Sequence, residues 1–250
     1  YRGCRSGQSR RRWRPTPVLH PVGNGAAVIV GNRPSREAPR PCSGSSLLRV
    51  HVDRHSTSRG SDVVFGCLNI RSVANKLDDL LEVRRDQKID VLFLVETWHD
   101  SDSVALRRLR VDGFQVVDRP RPRSRADTLA TNHGGVAAVA IAGVRLTRLD
   151  IGVKPATFEL LCVRVASGTS SLVVAIVYRP GSEAVTLAFY AELADVLDRL
   201  ATLEDPVQLV GDDNVHLERP ADHATREFTD VLAAHGLVSC VSAATHDDGG

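Results

Sequence analysis

The stretch LVGDDNVHL, residues 209–217, passes from apolar residues through one glycine into two aspartates and an asparagine. The apolar run that leads into it, PVQLV at 206–210, is typical of a buried strand. Carboxylates at the end of such a strand are costly to bury unless a partner or a bound ion compensates their charge. The stretch therefore predicts a strand that delivers Asp212, Asp213 and Asn214 to a binding site.

The rest of the chain alternates between apolar runs and amphipathic segments. Apolar runs rich in β-branched and aromatic residues predict strands at 63–70, 90–96, 134–141, 158–166 and 171–178. Apolar residues at helical spacing predict helices at 75–87, 184–201 and 223–235. Residues 119–132 are typical of an irregular loop. The alternation predicts an α/β domain whose sheets are covered by helices.

The first 60 residues differ from the rest in charge and texture. They carry twelve arginines, no lysine and two acidic residues, an excess of ten positive charges, whereas the net charge of the whole chain is +2. They are rich in Pro, Ser and Gly and show no sustained periodicity, so they lack the apolar surface that offsets ordering entropy. We expect residues 1–60 to be a disordered basic tail and residues 61–250 to be one globular domain.

Composition narrows the class of protein further. The run AAVIV at 26–30 is too short for a signal-peptide core or a membrane span, and no later run is long enough to span either. Five scattered cysteines without a CxxC pair argue against a disulfide framework or a zinc site, and for reduced thiols in an intracellular compartment. The chain starts with Tyr1 and contains no methionine, so we expect a fragment of a longer protein.

Several predicted strands end on side chains that carry oxygen. Asn69 and Glu96 end two of them, Asp212 with Asn214 follows a third, and Tyr178 ends a fourth. Strand ends in α/β proteins are where loops open over a rigid scaffold. Oxygen ligands without a His or Cys cluster suit Mg²⁺ or Mn²⁺, which usually also bind a substrate phosphate. The pattern indicates phosphoryl chemistry, but each residue alone is more often a turn former, a helix cap or an ordinary strand residue.

The order of the motifs is more specific than any one of them. The chain resembles the endonuclease/exonuclease/phosphatase superfamily in a series of successive motifs: LNIRSVANK (68–76), LVETW (94–98), HGGVAAVA (133–140), ELL (159–161), IVYRP (176–180) and GDDNVHL (211–217). More narrowly, LNIRS followed by NK, together with ETW and YRP, resembles the apurinic-type endonuclease domain of non-LTR retrotransposons, especially the chicken-repeat-like group. The resemblance covers residues 62–250.

This resemblance implies a fold and a role for each strand-end residue. The fold would be a four-layer α/β sandwich of two mixed β-sheets flanked by helices, incomplete at its C-terminus. Glu96 would be the principal ligand of Mg²⁺, with Mn²⁺ also possible, and Asn69 would lie beside it. Asp212 would orient and deprotonate the attacking water, and Asn214 and Tyr178 would contact the scissile phosphate. In-line hydrolysis of a phosphodiester needs such a base, cation and phosphate donors.

Two features depart from the pattern of the superfamily. Asp213 stands where members usually have an apolar residue, and like-charge repulsion beside Asp212 would raise the pKa of one of the two carboxyls. The closing Ser-Asp-His motif of the superfamily is not reached before Gly250. We therefore expect the chain as it stands to be catalytically impaired.

The resemblance also implies a partner and a place of action. DNA would be the partner, without a membrane, and the nucleus would be the place of action, with a reverse transcriptase downstream in the intact parent protein. The loop arginines Arg119, Arg121, Arg123 and Arg125 would either neutralise DNA phosphates or form an ordinary solvated loop.

The expected function is a divalent-metal-dependent DNA endonuclease domain of a retroelement. Two alternatives stay open at this point. One is a non-catalytic nucleic-acid-binding remnant, and the other is a phosphatase or phosphodiesterase of the same superfamily.

Overall fold

The computed structural model describes residues 26–30, 45–50, 63–122, 133–217 and 219–239. Within these residues the chain forms eleven strands and four helices, in this order: β1 Ala26–Val30, β2 Ser45–Val50, β3 Val63–Asn69, α1 Val73–Asp86, β4 Val91–Val95, α2 Val104–Val111, β5 Gln115–Arg119, β6 Val136–Ala140, β7 Arg145–Leu149, β8 Glu159–Ser167, β9 Ser170–Tyr178, α3 Leu187–Ala201, β10 Val207–Asp212, α4 His223–Ala234 and β11 Leu237–Ser239.

The described strands form two mixed sheets. A six-stranded sheet has the order β11-β1-β10-β9-β8-β7, and a five-stranded sheet has the order β2-β3-β4-β6-β5. Strands β3 and β4, which helix α1 connects in the sequence, are parallel neighbours in one sheet. Strands β7, β8 and β9 form an antiparallel meander, and β10 joins β9 in parallel.

Three apolar clusters divide the molecule into four layers. One cluster lies between the two sheets and includes the edge-to-face pair of Phe65 and Phe93, whose ring centroids are 5.5 Å apart. A second cluster packs α3 and α4 against the six-stranded sheet, and a third packs α1 and α2 against the five-stranded sheet. Burial of these apolar surfaces is what holds the layers together. The four-layer α/β sandwich implied by the motifs is confirmed.

Elements with long apolar runs were predicted well, whereas short or polar ones were not. Each predicted strand and helix outside the tail is present, with ends shifted by a few residues. The helix α2 and the strands β5, β7 and β11 were not predicted. Strand β7, RLTRL, exposes three of its five residues, and α2 has only eight residues. Tertiary packing stabilises such elements, and their own sequence gives only a weak signal for a helix or a strand.

Two stretches of the predicted disordered tail are strands instead. Strand β1 pairs in parallel with both β10 and β11, and β2 pairs antiparallel with β3. The β-branched run AAVIV and the run SSLLRV favour strands wherever a sheet edge offers unpaired backbone groups. The other residues of the predicted tail lie outside the described residues, so the disorder prediction is untested there.

The structure describes two of the five cysteines. Cys67 and Cys162 are free and buried, and burial raises the pKa of each thiol to about 12. The other three cysteines lie outside the described residues. Among the helices of the described part of the chain, none has both the length and the hydropathy needed to cross a membrane.

Candidate active site

Asn69, at the end of β3, joins the two sheets through its side chain. Its Nδ2 atom donates to Oε1 of Glu96 at 2.9 Å and to Oδ2 of Asp212 at 2.8 Å. Glu96 follows β4 in the same sheet as Asn69, whereas Asp212 ends β10 in the opposite sheet. Both carboxylates are almost completely buried, with 2% and 1% of their surface exposed. Residues 143 positions apart in the sequence therefore meet at one amide nitrogen.

Glu96 is held in place by its own backbone. Its φ of 53° lies in the left-handed region, which L-residues other than glycine rarely adopt. The Glu96 carbonyl accepts a hydrogen bond from the amide of Ser72 at 2.9 Å, and the next amide, of Thr97, donates to the carbonyl of Gly135 at 3.1 Å. Surrounding structure must over-determine such a conformation, and strain of this kind often marks functional sites.

Asp212 depends on the glycine before it. A Cβ atom added to Gly211 would lie 1.8 Å from the carbonyl oxygen of Val177, so only glycine fits where β10 approaches β9. The Asp212 carbonyl accepts from the amide of Arg179 at 2.9 Å. Its Oδ1 atom accepts from the amide of Asn214 at 3.2 Å, while Oδ2 is held by Asn69. Both carboxylate oxygens of Asp212 are thus fixed.

Tyr178 ends β9 and is paired in register with Asp212. Its side chain is buried, with 3% exposed, and its hydroxyl is hydrogen-bonded to Glu96. Burial, followed by the negative charge of Glu96, raises the pKa of the Tyr178 hydroxyl well above its usual range. The hydroxyl therefore keeps its proton and acts as a donor. The guanidinium of Arg121 lies 5.6 Å from the centroid of the Tyr178 ring.

The loop after β10 is clamped by the buried side chain of Arg179. Its Nε atom donates to the carbonyl of Asp213 at 2.6 Å, and a terminal nitrogen donates to the carbonyl of Asn214 at 2.8 Å. In return, Nδ2 of Asn214 donates to the carbonyl of Arg179 at 2.6 Å. Arg179 belongs to the YRP motif, but its sequence position alone gave it no role, because its hydrogen bonds are to backbone carbonyls, which a sequence pattern does not reveal.

Asp213 is buried and forms a local turn. Its Oδ1 atom accepts from the amide of Val215 at 2.9 Å. Burial is the largest cause that raises the pKa of Asp213 to about 7, and the charge of Asp212 contributes less. Like-charge repulsion, which the sequence analysis proposed, is thus a secondary effect.

A second polar group, the His99 network, joins the buried residues Thr97 and His99 to the partly exposed Asp118 and the exposed Arg110. The Thr97 hydroxyl and Nδ1 of His99 are 2.5 Å apart, and Nε2 of His99 lies 3.0 Å from Oδ2 of Asp118. Arg110 donates to the other Asp118 oxygen at 2.5 Å. The hydrogen bond from His99 holds the pKa of Asp118 below its usual value. The sequence analysis missed this network, although the ETW motif contains Thr97.

Glu159 connects the start of β8 to the loop before β6. Its Oε1 atom accepts from Nε of Arg121 at 2.5 Å, and Oε2 accepts from the amide of Gly135 at 2.6 Å. A Cβ atom on Gly134 would lie 2.3 Å from the Glu159 carboxylate and 2.4 Å from Arg121 Nε, so glycine is required there. Despite these partners, burial raises the pKa of Glu159.

Of the four arginines predicted to share a loop, the structure describes two, and Arg119 ends strand β5 instead of lying in a loop. Arg121 lies over Tyr178 and is paired with Glu159. Arg119 donates to the carbonyl of Leu160 at 2.6 Å and lies further along β8. Arg123 and Arg125 lie outside the described residues. A contact of any of the four with DNA stays a prediction.

The chain was compared with protein families, curated proteins and solved structures. No family model matches this sequence, and none of the curated proteins does. Solved structures that resemble the chain include the AP endonuclease LMAP from Leishmania major, with 19% identity, a TM-score of 0.49, and 68% of this chain and 66% of that one covered. The endonuclease domain of TRAS1, a telomere-specific non-LTR retrotransposon, gives 10% identity, a TM-score of 0.49, and coverage of 68% and 70%. The 3′ phosphatase NExo from Neisseria, bound to a product DNA hairpin, gives 18% identity, a TM-score of 0.46, and coverage of 67% and 69%.

The four layers of the structure and the order of the sequence motifs together identify the fold. The fold is that of the endonuclease/exonuclease/phosphatase proteins. The assignment rests on the two mixed sheets, the helices outside them and the strand ends that carry the motifs. The likenesses above are too distant to say anything of this chain's substrate or activity.

The donor set at the site fits a hard divalent cation. Asn69 Oδ1 is buried and accepts no hydrogen bond from the residues that the structure describes. Among those same residues, no group of three or more His, Cys, Asp or Glu is placed to hold a metal ion. The candidate donors in this endonuclease/exonuclease/phosphatase fold are therefore the carboxylates of Glu96 and Asp212 and the amide oxygen of Asn69. Such all-oxygen sets suit Mg²⁺ or Mn²⁺.

Proposed function

We propose that this chain is a divalent-metal-dependent phosphodiester hydrolase domain that acts on DNA. The observation that carries the proposal is the arrangement around Asn69. One amide nitrogen holds two buried carboxylates from opposite sheets, and the amide oxygen beside it has no protein partner among the described residues. Buried charges and orphaned polar atoms are costly, so their persistence supports a bound ligand.

Glu96 and Asn69 Oδ1 would hold Mg²⁺, or Mn²⁺ in its place. When bound, the ion would stabilise the negative charge that develops on the phosphate oxygens during hydrolysis. Asn69 has a second task, because its Nδ2 atom fixes the orientation of both carboxylates. A single residue thereby couples the cation ligand Glu96 to the base Asp212.

Asp212 would accept a proton from the attacking water. Its carboxylate is oriented by Asn69 and by the amide of Asn214, so it can face a water without losing either hydrogen bond. Tyr178 keeps its proton, which it now donates to Glu96, and would donate it to a phosphate oxygen instead once Glu96 holds the cation. Asn214 would donate the second hydrogen of its Nδ2 atom to the phosphate, because only one is used by the carbonyl of Arg179.

The DNA substrate and the retroelement origin are supported by the order of the motifs along the chain. LNIRS with NK, ETW and YRP resembles the endonuclease domain of non-LTR retrotransposons more than phosphatases of the same superfamily. On that basis we propose DNA as the partner, the nucleus as the place of action and a reverse transcriptase as a further domain of the parent protein.

Calorimetric titration with Mn²⁺ tests the cation site without requiring turnover. We expect wild-type protein to bind one ion and the variant Glu96→Gln to lose at least tenfold in affinity, because a ligand charge is removed at constant shape. The variant Glu82→Gln, on the exposed face of α1, is the matched control and should bind as the wild type does. Equal affinity in Glu96→Gln and wild type would contradict the proposal.

Substrate assays separate the open alternatives. The expectation that the chain turns over slowly or not at all stays a prediction, and nicking of supercoiled plasmid in Mg²⁺ tests it. Nicking that Glu96→Ala abolishes would contradict impaired turnover but support the site. Hydrolysis of phosphoinositides in place of DNA would favour a phosphatase. Salt-dependent DNA binding without any metal binding would favour a non-catalytic binding module.

A further inference from the structure

A cavity of about 250 Å³ lies at the junction of β7 and β8, outside the site described above. Its walls include apolar side chains, among them Leu161, and the buried thiol of Cys162. Its charged lining residues are Arg119, Arg148, Asp150 and Lys154. Three cations and one carboxylate thus surround a recess with apolar walls, which we name the β7–β8 pocket.

The β7–β8 pocket opens at the same edge of the sandwich as the candidate active site. Strands β7, β8 and β9 are antiparallel neighbours, so the end of β7 and the start of β8 lie beside the end of β9. Tyr178 is paired with Glu159, and Leu149 is paired with Cys162. Strand spacing of about 4.8 Å and a rise of about 3.3 Å per residue place Leu149 about 14 Å from Tyr178 between Cα atoms.

Two of the pocket's cations are available to a ligand. Arg148 and Lys154 are both exposed, and their side chains make no hydrogen bond or ion pair within the described part of the chain. Asp150 forms no ion pair with either of them within the described residues, and its Oδ1 atom accepts from the amide of Gly152 at 2.9 Å. Apolar walls strengthen the field of cations beside them, so the recess favours an anion.

The lining residue Arg119 and a further arginine, Arg121, connect the pocket to the candidate active site. Arg121 is held by Glu159 over the ring of Tyr178, and Arg119 is held by the carbonyl of the next residue, Leu160. Glu159 and Leu160 are consecutive on β8, so the guanidinium groups of Arg121 and Arg119 follow one another along this strand. That direction runs from Tyr178 toward the β7–β8 pocket.

We propose that the β7–β8 pocket binds a backbone phosphate of the DNA strand, away from the scissile phosphate. The inference rests on the proposed function, since it takes the scissile phosphate to lie near Tyr178. A DNA strand winds around the helix axis as it advances about 3.4 Å per nucleotide, so phosphates two nucleotides apart are about 13 Å from each other, and a separation of about 14 Å corresponds to about two nucleotides. The pocket sets the register of the DNA on the protein and carries no base readout, because phosphate contacts position the duplex.

The salt dependence of DNA binding tests the pocket directly. Binding of a fluorescent duplex is measured by anisotropy at several salt concentrations in EDTA, for wild type and for Arg148→Ala/Lys154→Ala. We expect the double variant to bind several-fold more weakly, with a slope of log affinity against log salt that is shallower by about 1 to 2. The milder pair Arg148→Gln/Lys154→Gln should give the same slope, which guards against misfolding of the alanine pair.

The matched control lies on the same strand. Arg145, like Arg148, is an exposed arginine of β7, but it stands at the other end of the strand, opposite Ala166. Arg145→Ala should leave both the affinity and the slope unchanged. An equal loss in Arg145→Ala would show that general positive charge is responsible, and this outcome would overturn the pocket.

Neutral methylphosphonate substitutions at single positions of the strand locate the contact. Wild type should lose affinity at a position about two nucleotides from the cleavage site, and the double variant should lose nothing further there. Measurable DNA binding with an unchanged slope overturns the pocket alone and leaves the metal-binding test of the active site standing. Absence of DNA binding by wild type overturns both the pocket and the proposed substrate.

Discussion

The cluster around Asn69 and the His99 network contain consecutive residues, Glu96 and Thr97 respectively. The two clusters differ in how many of their hydrogen-bond donors and acceptors have partners. In the His99 network, both ring nitrogens of His99 have partners, and each Asp118 oxygen has its own donor. In the cluster around Asn69, the carboxylates of Glu96 and Asp212 share one amide nitrogen, and Asn69 Oδ1 has no described partner. One cluster is closed and the other is open.

The difference separates scaffold from site. A buried polar network whose members are all paired makes the structure more rigid and leaves nothing for a ligand to bind. A buried cluster with surplus negative charge and an orphaned oxygen loses stability unless a cation enters. Proximity of titratable side chains alone would have pointed to Thr97, His99 and Asp118 as a catalytic triad. Because their hydrogen-bonding groups already have partners, we infer that these residues position the loop that carries Glu96.

The largest effect is expected when the closed cluster is broken. His99→Ala leaves the Thr97 hydroxyl and one Asp118 oxygen without a buried partner and should lower the free energy of unfolding by about 3 kcal/mol. Urea unfolding measures the loss. Asp102→Ala, which removes an exposed ion pair with Arg107, should change stability by less than about 0.5 kcal/mol.

Metal binding by the same variant tests whether His99 belongs to the candidate active site. Folded His99→Ala should still bind Mn²⁺ at wild-type stoichiometry, because none of the oxygens around Asn69 is removed. A variant that is as stable as wild type but no longer binds Mn²⁺ would place His99 in the site and reverse our assignment of the two clusters.

An intermediate effect is expected from the buried carboxyl of Asp213. The pKa of an ordinary aspartate carboxyl is 3.8, and that of Asp213 in the folded chain is about 7. Between these pH values the folded state therefore binds more protons than the unfolded state does. The free energy of unfolding contributed by this group therefore falls as pH rises from about 4 to about 7. Asp213→Asn keeps an acceptor for the Val215 amide and should be more stable than wild type at pH 8, by about 2 kcal/mol.

Urea unfolding in EDTA at pH 4.5 and pH 8 checks this expectation. The advantage of Asp213→Asn over wild type should shrink greatly at the lower pH, where the wild-type carboxyl is protonated. Asp195→Asn, on the exposed surface of α3, is the control for removal of an aspartate charge. A constant advantage at both pH values would mean that burial of charge at Asp213 is not the cause.

The smallest of these effects is expected at Tyr178. Tyr178→Phe removes the hydrogen bond to Glu96 and should cost about 1 kcal/mol in EDTA. Saturating Mg²⁺ should reduce the difference, because a cation compensates the Glu96 charge that the hydroxyl no longer contacts. A difference that grows in Mg²⁺ would indicate that Tyr178 itself helps to hold the ion.

The sequence predicted the open cluster better than the closed one. Asn69, Glu96, Tyr178 and Asp212 each stand where an apolar run stops, and a strand end can be recognised from its own sequence. The His99 network depends on β5, an element of weak periodicity that was not predicted, so Asp118 could not be placed beside His99. The β7–β8 pocket escaped prediction for the same reason, since β7 was not recognised as a strand.

Thermal unfolding of wild type and Glu96→Gln, each in EDTA and in excess Mn²⁺, shows whether the oxygens around Asn69 bind a cation. We expect Mn²⁺ to raise the Tm of wild type, because the ion binds only the folded chain. We also expect Glu96→Gln to have the higher Tm in EDTA and to gain little from Mn²⁺, because its buried charge is gone. A wild-type Tm that does not respond to Mn²⁺, together with a lower Tm for Glu96→Gln in EDTA, would contradict the claim that these oxygens await a cation.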